Sequence, residues 1–221
     1  MTELVIFTAG RDDAFADYQR SVVRGISLET LAEYFDETVL TRLTDAHSER
    51  APVWCTQLDQ YWQRLSAGDE AIFYHNKRFV GRATVLAKAT SLPLAEDLWR
   101  APGTTWKETD PWKYIVFFDD FREISIPVAE FNAVFGYKQG FIPKGVMCVK
   151  EETIRAIDSL YGDANAALDA LEAGTATQEV PVESRRPKRA KRKKQTGENS
   201  EKAKSLQEMY RRMLEQQSAQ E

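Results

Sequence analysis

"GDEAIFYHNKRFVGRATVLAKA", residues 68–89, decides the fold class of this 221-residue chain. A Gly-Asp pair opens it, an apolar run climbs to Tyr74, His75-Asn76-Lys77-Arg78 interrupts, and "FVGRATVLA" returns. Two apolar segments separated by polar turn residues read as a β-hairpin. On this reading His75 is a turn histidine contacting backbone or solvent rather than an acid–base catalyst.

Outward from the hairpin the pattern is strands with helices between them. "ELVIFTAG" (3–10) is a short apolar run ending in Gly, a first strand. Asp12 or Asp13 then caps a helix through "AFADYQRSVVR" that stops at Gly25, and a second helix follows from Ser27 in "SLETLAEYFDETV". Downstream, "WKYIVFFDDFREISIP" (112–127) and "GVMCVK" (145–150) read as strands, and "VAEFNAVFG" and "KEETIRAIDSLYG" as short helices. The whole predicts an α+β fold, a small curled sheet or open β-barrel with flanking helices.

The body is expected to span residues 1–163. Residues 164–198 are rich in Ala, Glu, Thr and Pro and then solidly basic, too poor in large apolar residues to fold alone, and read as a disordered linker. In 199–217, "NSEKAKSLQEMYRRMLEQQ", Leu206, Met209, Tyr210, Met213 and Leu214 fall on one helical face, so an amphipathic helix capped by Asn199 or Ser200 is expected to seek a protein partner or a second copy of itself.

With 43% hydrophobic and 11% aromatic residues the chain has enough apolar content for a core. No run approaches 18 apolar residues, and the opening lacks a basic n-region, so a cytoplasmic location is expected. The net charge of −4 hides an asymmetry: eight of the ten residues Arg185 to Lys194 are basic, and the remainder is acidic at both ends and near neutral in the middle. Cys55 and Cys148 read as buried reduced thiols and, with His47 and His75, make no zinc spacing. Phosphate-loop, dinucleotide-binding and nucleophile-elbow motifs are missing. Asp119-Asp120 reads as a turn or strand-end pair, since neighbours on a strand point to opposite faces. No metal and no cofactor are expected.

All five tryptophans, at 54, 62, 99, 106 and 112, lie in one span of the chain. Trp62 shares a helical face with Leu58 and Leu65 and reads as core, as does Trp112 at the head of an apolar strand. Trp54 stands at a segment start beside polar residues, while Trp99 and Trp106 fall in the loop-like "EDLWRAPGTTWKETDPW". Large aromatics in a Pro/Gly loop seldom all find core, and a planar base held between them is the economical use.

The ordered series "VWCTQ", "GDEAIFYHNKRFVGRATV", "LWRAPGTTWKETDPWKYIVFF" and "FNAVFGYKQGFIPKGV", with the opening "FTAGRDDAFADYQRSV", resembles the EVE branch of the PUA-like superfamily, relatives of YTH domains. It is most similar to the EVE-like modules that precede HNH nucleases in modification-dependent restriction enzymes. The resemblance covers about residues 1–160. It implies a compact β-barrel that binds a modified base in an aromatic cage, with a role in restriction or defence. By it, Trp54 falls on one cage wall, with Cys55 and Thr56 along the base edge, and Trp99 or Trp106 supplies the opposite wall. The upstream asparagine of YTH readers is not evident in "LTDAHSERAP", where His47 and Ser48 stand instead, so methyladenine specificity is not carried over. No cysteine or histidine follows Cys148, so this chain is expected to bind and not to cut.

Three functions stay open on the sequence. The first is a non-catalytic reader that flips a methylated or hydroxymethylated base of DNA or RNA into the cage. For it, Lys77, Arg78, Arg82, Lys107, Lys113 and Lys138, and the run Arg185, Arg186, Lys188, Arg189, Lys191, Arg192, Lys193 and Lys194, are candidate phosphate contacts. The second is an ASCH-like small hydrolase acting on nucleosides or RNA, although its G-x-K-x-x-E-x-R pattern is missing. The third is an adaptor whose aromatics are structural.

Overall fold

The hairpin forms around Asn76 and Lys77, both with positive φ (42° and 63°) between the paired residues His75 and Arg78. Positive φ at both central residues is the type I′ geometry, whose twist matches that of the flanking strands. The computed structural model describes residues 3–99, 112–177 and 179–180. Its elements run β1 (Leu4–Thr8), α1 (Asp12–Tyr18) continued by a π turn over Gln19–Val23, β2 (Ile26–Ser27), α2 (Leu28–Ala32), α3 (Glu37–Ala46), β3 (Arg50–Ala51), β4 (Val53–Thr56) and α4 (Asp59–Arg64). They continue with β5 (Glu70–His75), β6 (Arg78–Thr90), α5 (Leu92–Trp99), β7 (Tyr114–Pro127), α6 (Val128–Val134), β8 (Val146–Cys148), α7 (Glu151–Tyr161) and α8 (Ala164–Glu172).

The main sheet has the order β4-β7-β6-β5-β1-β8, with β1 and β5 parallel and every other pair antiparallel. Both of its faces are covered, which is why β1 reads as an unbroken apolar run. Leu4 and Ile6 join Ile72, Phe79 and Phe131 on one side, under α6, α7 and α8. Val5 and Phe7 join Trp54, Phe73 and Phe118 on the other. There Phe7, Phe73 and Phe118 meet at ring-centroid distances of 5.3–5.7 Å, partly edge to face, each contact worth ~0.5–1.5 kcal/mol beyond its buried area. A third cluster, with Leu31, Leu43, Leu94 and Phe117, lies behind β4 and the start of β7.

The sheet curls at bulges where β6 meets β7. One falls at Asp119-Asp120. Arg82 pairs with Arg122 and Thr84 with Asp119, which leaves Asp120 (φ 49°) and Phe121 opposite Ala83, and the Asp119 carboxylate accepts from the Asp120 amide at 2.8 Å. The acidic pair therefore sits inside β7 rather than at a turn or strand end. At Gly81 a Cβ would run into the Tyr18 hydroxyl and the Phe121 ring, so only glycine lets the end of α1 pack down on the sheet.

Two further expectations are corrected. The helix from Ser27 is broken: Ser27 caps α2 by accepting from Thr30 N at 3.1 Å, and Asp36 starts α3 afresh by accepting from Val39 N at 3.1 Å. The stretch 164–172, expected to open the linker, is helix α8. Asp163 caps it through Ala166 N at 2.7 Å, and Ala167, Leu168 and Leu171 are buried against the body. An alanine-rich helix need not fold alone when it docks on a formed core. No helix among the described residues is long and apolar enough to cross a membrane. The basic run and the helix expected over 199–217 lie outside the described residues.

Candidate functional site

A cavity of about 600 Å³ lies along the open seam of the curled sheet, between its edge strands β4 and β8. The end of β1 at Thr8, the hairpin turn at Asn76 and Lys77, the inner turn of α1 at Asp13 and Asp17, and the approach to β8 from Ile142 to Val146 complete its wall. This is the size of an ordinary small-molecule site, ~300–1,000 Å³.

Three tryptophans form part of that wall. Trp54, 2% exposed, alternates inward from β4 and meets Phe73 edge to face at 6.4 Å and 84°. Trp99, also 2% exposed, sits on the other side of β4 with Leu94, Cys55 and Phe117. The two rings thus reach the cavity from opposite faces of the edge strand. Trp99 is not in a loop: it ends α5, which Ser91 caps through Leu94 N at 3.2 Å with Pro93 in the first turn, a start signal present in the sequence. Its indole N–H is buried and has no hydrogen-bond partner among the described residues. Trp112, read as core, is half-buried and lines the cavity. Trp62 is half-buried beneath Lys88 and donates to the Ile115 carbonyl at 2.9 Å, away from the cavity, in keeping with a packing role. Trp106 and Lys107 lie outside the described residues.

Cys55 and Thr56 line the cavity. Burial, and to a lesser degree the nearby Asp17 carboxylate, pushes the Cys55 thiol well above its ordinary range, so it is a neutral group. The Thr56 hydroxyl accepts from Leu58 N at 3.0 Å and shapes the turn leaving β4. Asp17 is a site residue that the sequence did not single out. It accepts from Arg20 at 2.7 Å, and Arg20 also donates to the Leu98 carbonyl next to Trp99. Burial raises the Asp17 pKa, with Arg20 opposing.

His47 and Ser48 are not brought to the cavity. His47 closes α3, and its Nε2 donates to the Phe118 carbonyl at 2.9 Å, tying α3 to β7 instead. His75 is also structural: its Nδ1 donates to the Ala9 carbonyl at 2.7 Å and its ring stacks on Phe15. Among the described residues no group of His, Cys, Asp and Glu could hold a metal ion.

The expected cations separate. Lys77 is exposed on the cavity rim, joined there by Arg11 and Lys144, which the sequence reading passed over. Lys113 and Lys138 are exposed, the former 5.5 Å over the Tyr114 ring. Arg78 is exposed but tied to Ser125 Oγ and O at 2.8 and 2.7 Å. Arg82 is not a phosphate contact. It is 4% exposed and bonded to Glu70, Asp169 and Glu172 at 3.1, 2.6 and 3.1 Å. Burial alone would lower its pKa, but those carboxylates outweigh it and hold the guanidinium charged.

No family model matches the chain. No curated protein matches it in sequence either. Among solved structures it is similar to the N-terminal domain of Thermococcus gammatolerans McrB bound to m5C DNA, with TM-score 0.57 and 14% identity over 72% of this chain and 96% of that one. Human THYN1 in complex with 5-methylcytosine-containing DNA aligns with TM-score 0.39 and 16% identity, over 72% of this chain and 97% of that one. A mutant ASCH protein from Zymomonas mobilis aligns with TM-score 0.36 and 10% identity, over 71% and 95%. Of these three the first superposes closely enough to bear on architecture. With the curled six-stranded sheet and its flanking helices, it shows that the chain has the α+β fold of that domain, an open curled sheet with helices on its faces.

Proposed function

We propose that the body of this protein is a non-catalytic reader of a modified base in DNA or RNA, which leaves its stack and is held in the seam cavity against Trp54, Trp99 and Trp112. One observation carries the reading: three tryptophans converge on one cavity whose rim carries Lys77 and Lys144. Stacked rings supply ~1–3 kcal/mol per base, and rim cations hold the flanking phosphates without reading sequence. The Thermococcus domain with the same architecture is bound to m5C DNA, which supports the same class of ligand here. Cys55 holds its proton, so it serves the base edge and not nucleophilic attack. Beyond the body, the basic run adds sequence-independent phosphate contacts, and the 199–217 helix docks on a protein partner or a second copy, an arrangement suited to modification-dependent defence in the cytoplasm.

Anisotropy titrations against matched oligonucleotides carrying 5-methylcytosine, 5-hydroxymethylcytosine, N6-methyladenine or no modification test the reading. One modified form should bind at least about tenfold tighter than its unmodified match. Equal affinity for all would overturn it, and turnover of an acetylated nucleoside would favour an ASCH-like hydrolase.

A further inference from the structure

Among the described residues the exposed large hydrophobic side chains are Leu92 and Ile142. Leu92 merely opens α5. Ile142 is 46% exposed and stands on the rim of the cavity. A single exposed aliphatic residue ordinarily needs no explanation, but this one is held in place at some expense. Asn132, fully buried in α6, donates its amide to the Phe141 and Gln139 carbonyls at 2.9 and 3.4 Å. The Phe141 ring lies parallel on Tyr137 at 4.6 Å and 11°, and Tyr137 on Phe131 at 6.1 Å and 15°. Two residues after Pro143, the Gly145 carbonyl accepts from Thr8 N at 3.0 Å. A buried amide and a stack of rings thus brace a loop whose next side chain is left in water. Exposed Lys138 and Lys144 flank it.

We propose that Ile142 is a wedge for double-stranded DNA: as a base swings into the cavity, Ile142 enters the gap it leaves, with Lys138 and Lys144 on the phosphates either side. The inference rests on the base-holding reading of the cavity. Extruding a base from a duplex bares the apolar faces of its neighbours and the orphaned partner. An aliphatic side chain filling that gap takes those faces and itself out of water, and so offsets part of the unstacking cost. A rigid mount matters, because a side chain already aimed loses little freedom on insertion. A single strand has no opposing stack to prop open, so the wedge acts on duplex alone.

The test uses the full chain and oligonucleotides with a single 5-methylcytosine, 5-hydroxymethylcytosine or N6-methyladenine and their unmodified match, the tightest-bound one presented as single strand and as duplex with 2-aminopurine beside the modified base. Ile142→Ala should weaken duplex binding about tenfold, a part of what an unstacked step costs, while single-strand binding stays within about twofold. The 2-aminopurine signal that rises on duplex binding should fall with it, and Ile142→Leu should restore both. Equal weakening on the two forms, or unchanged duplex binding, overturns the wedge and leaves the cavity reading standing. Failure of the unaltered chain to prefer any of the modified oligonucleotides over its unmodified match, in either form, overturns the cavity reading and the wedge with it.

Discussion

Replacing Arg82 by Met should unfold the body far more readily and leave nucleic-acid binding per folded molecule unchanged. Met keeps most of the volume and removes the charge. Asp169 is 62% exposed at its side chain, and both it and Glu172 keep Arg122 at 3.1–3.2 Å, so the loss at α8 is that of a screened surface pair, at most ~1 kcal/mol. Glu70 is different. It is 6% exposed, and without Arg82 its carboxylate retains, among the described residues, only the Thr84 hydroxyl at 3.3 Å. Stranding one member of a buried pair costs ~3–5 kcal/mol. Urea unfolding followed by tryptophan fluorescence should show that loss, and Arg82→Met combined with Glu70→Leu should recover most of it, because the stranded charge goes too. If Arg82 instead held a phosphate, the single variant would keep its stability and its binding would lose ~0.9 from the slope of log affinity against log salt. That pair of results would refute the assignment.

Trp99→Phe removes an indole N–H that has no partner among the described residues and keeps an aromatic wall: losing that donor should offset part of the packing cost of the smaller ring, and if the N–H donates to the bound base, affinity should fall by ~0.5–1.5 kcal/mol in calorimetric titration. Lys77→Gln and Lys144→Gln should each flatten the salt dependence by about one unit of slope while leaving the preference between modified and unmodified oligonucleotides intact. Burial lifts the Cys55 thiol well above its ordinary value and Cys148 to about 12, so neither should react with an aromatic disulfide reagent at pH 8 until urea is added. The linkage has a sign: raised thiols ionise first in the unfolded chain, so their stabilisation is complete below the ordinary value of 9.0 and fades as pH rises past it, which thermal melts between pH 7 and 10 would detect.

The hairpin was legible because alternation, a polar turn and a second alternation are local signals, and β1 because a strand covered on both faces has no polar positions to confuse it. Long-range pairing was not legible. Arg78 and Arg82 are indistinguishable as basic residues of one strand. What separates them is that Arg82 faces Glu70 and an acidic helix some ninety positions away. The same ion pairs seat α8, whose small residues look like a linker when read alone. Lys77 could be placed at a rim because a hairpin turn must be exposed. Ile142 and Lys144 reach that rim only because β8 pairs with β1 and draws the preceding loop across the seam. His47 was displaced for a related reason: as the last residue after α3 it is spent on joining that helix to β7, and a side chain used as a tether is not free to read a ligand.

Trp54 belongs at once to the core and to the cavity wall. A residue 2% exposed, set edge to face on Phe73 among Phe7 and Phe118, is part of the core, and the same ring forms part of the cavity wall. Deleting it should therefore cost both properties together, ~3–5 kcal/mol of stability for a buried aromatic and ~1–3 kcal/mol of binding for a stacked base. This double duty follows from where the seam lies. The sheet is open, with β4 and β8 as unpaired edges, so its aromatic interior ends at an edge strand instead of a sealed wall. The interior's last ring is then available to a planar ligand while its other face is fixed by packing. If Trp54 is a cage wall as proposed, it needs no reorganisation when a base arrives, because its rotamer is set when the core folds. The adaptable parts of the site are those that the core does not hold, the exposed lysines of the rim.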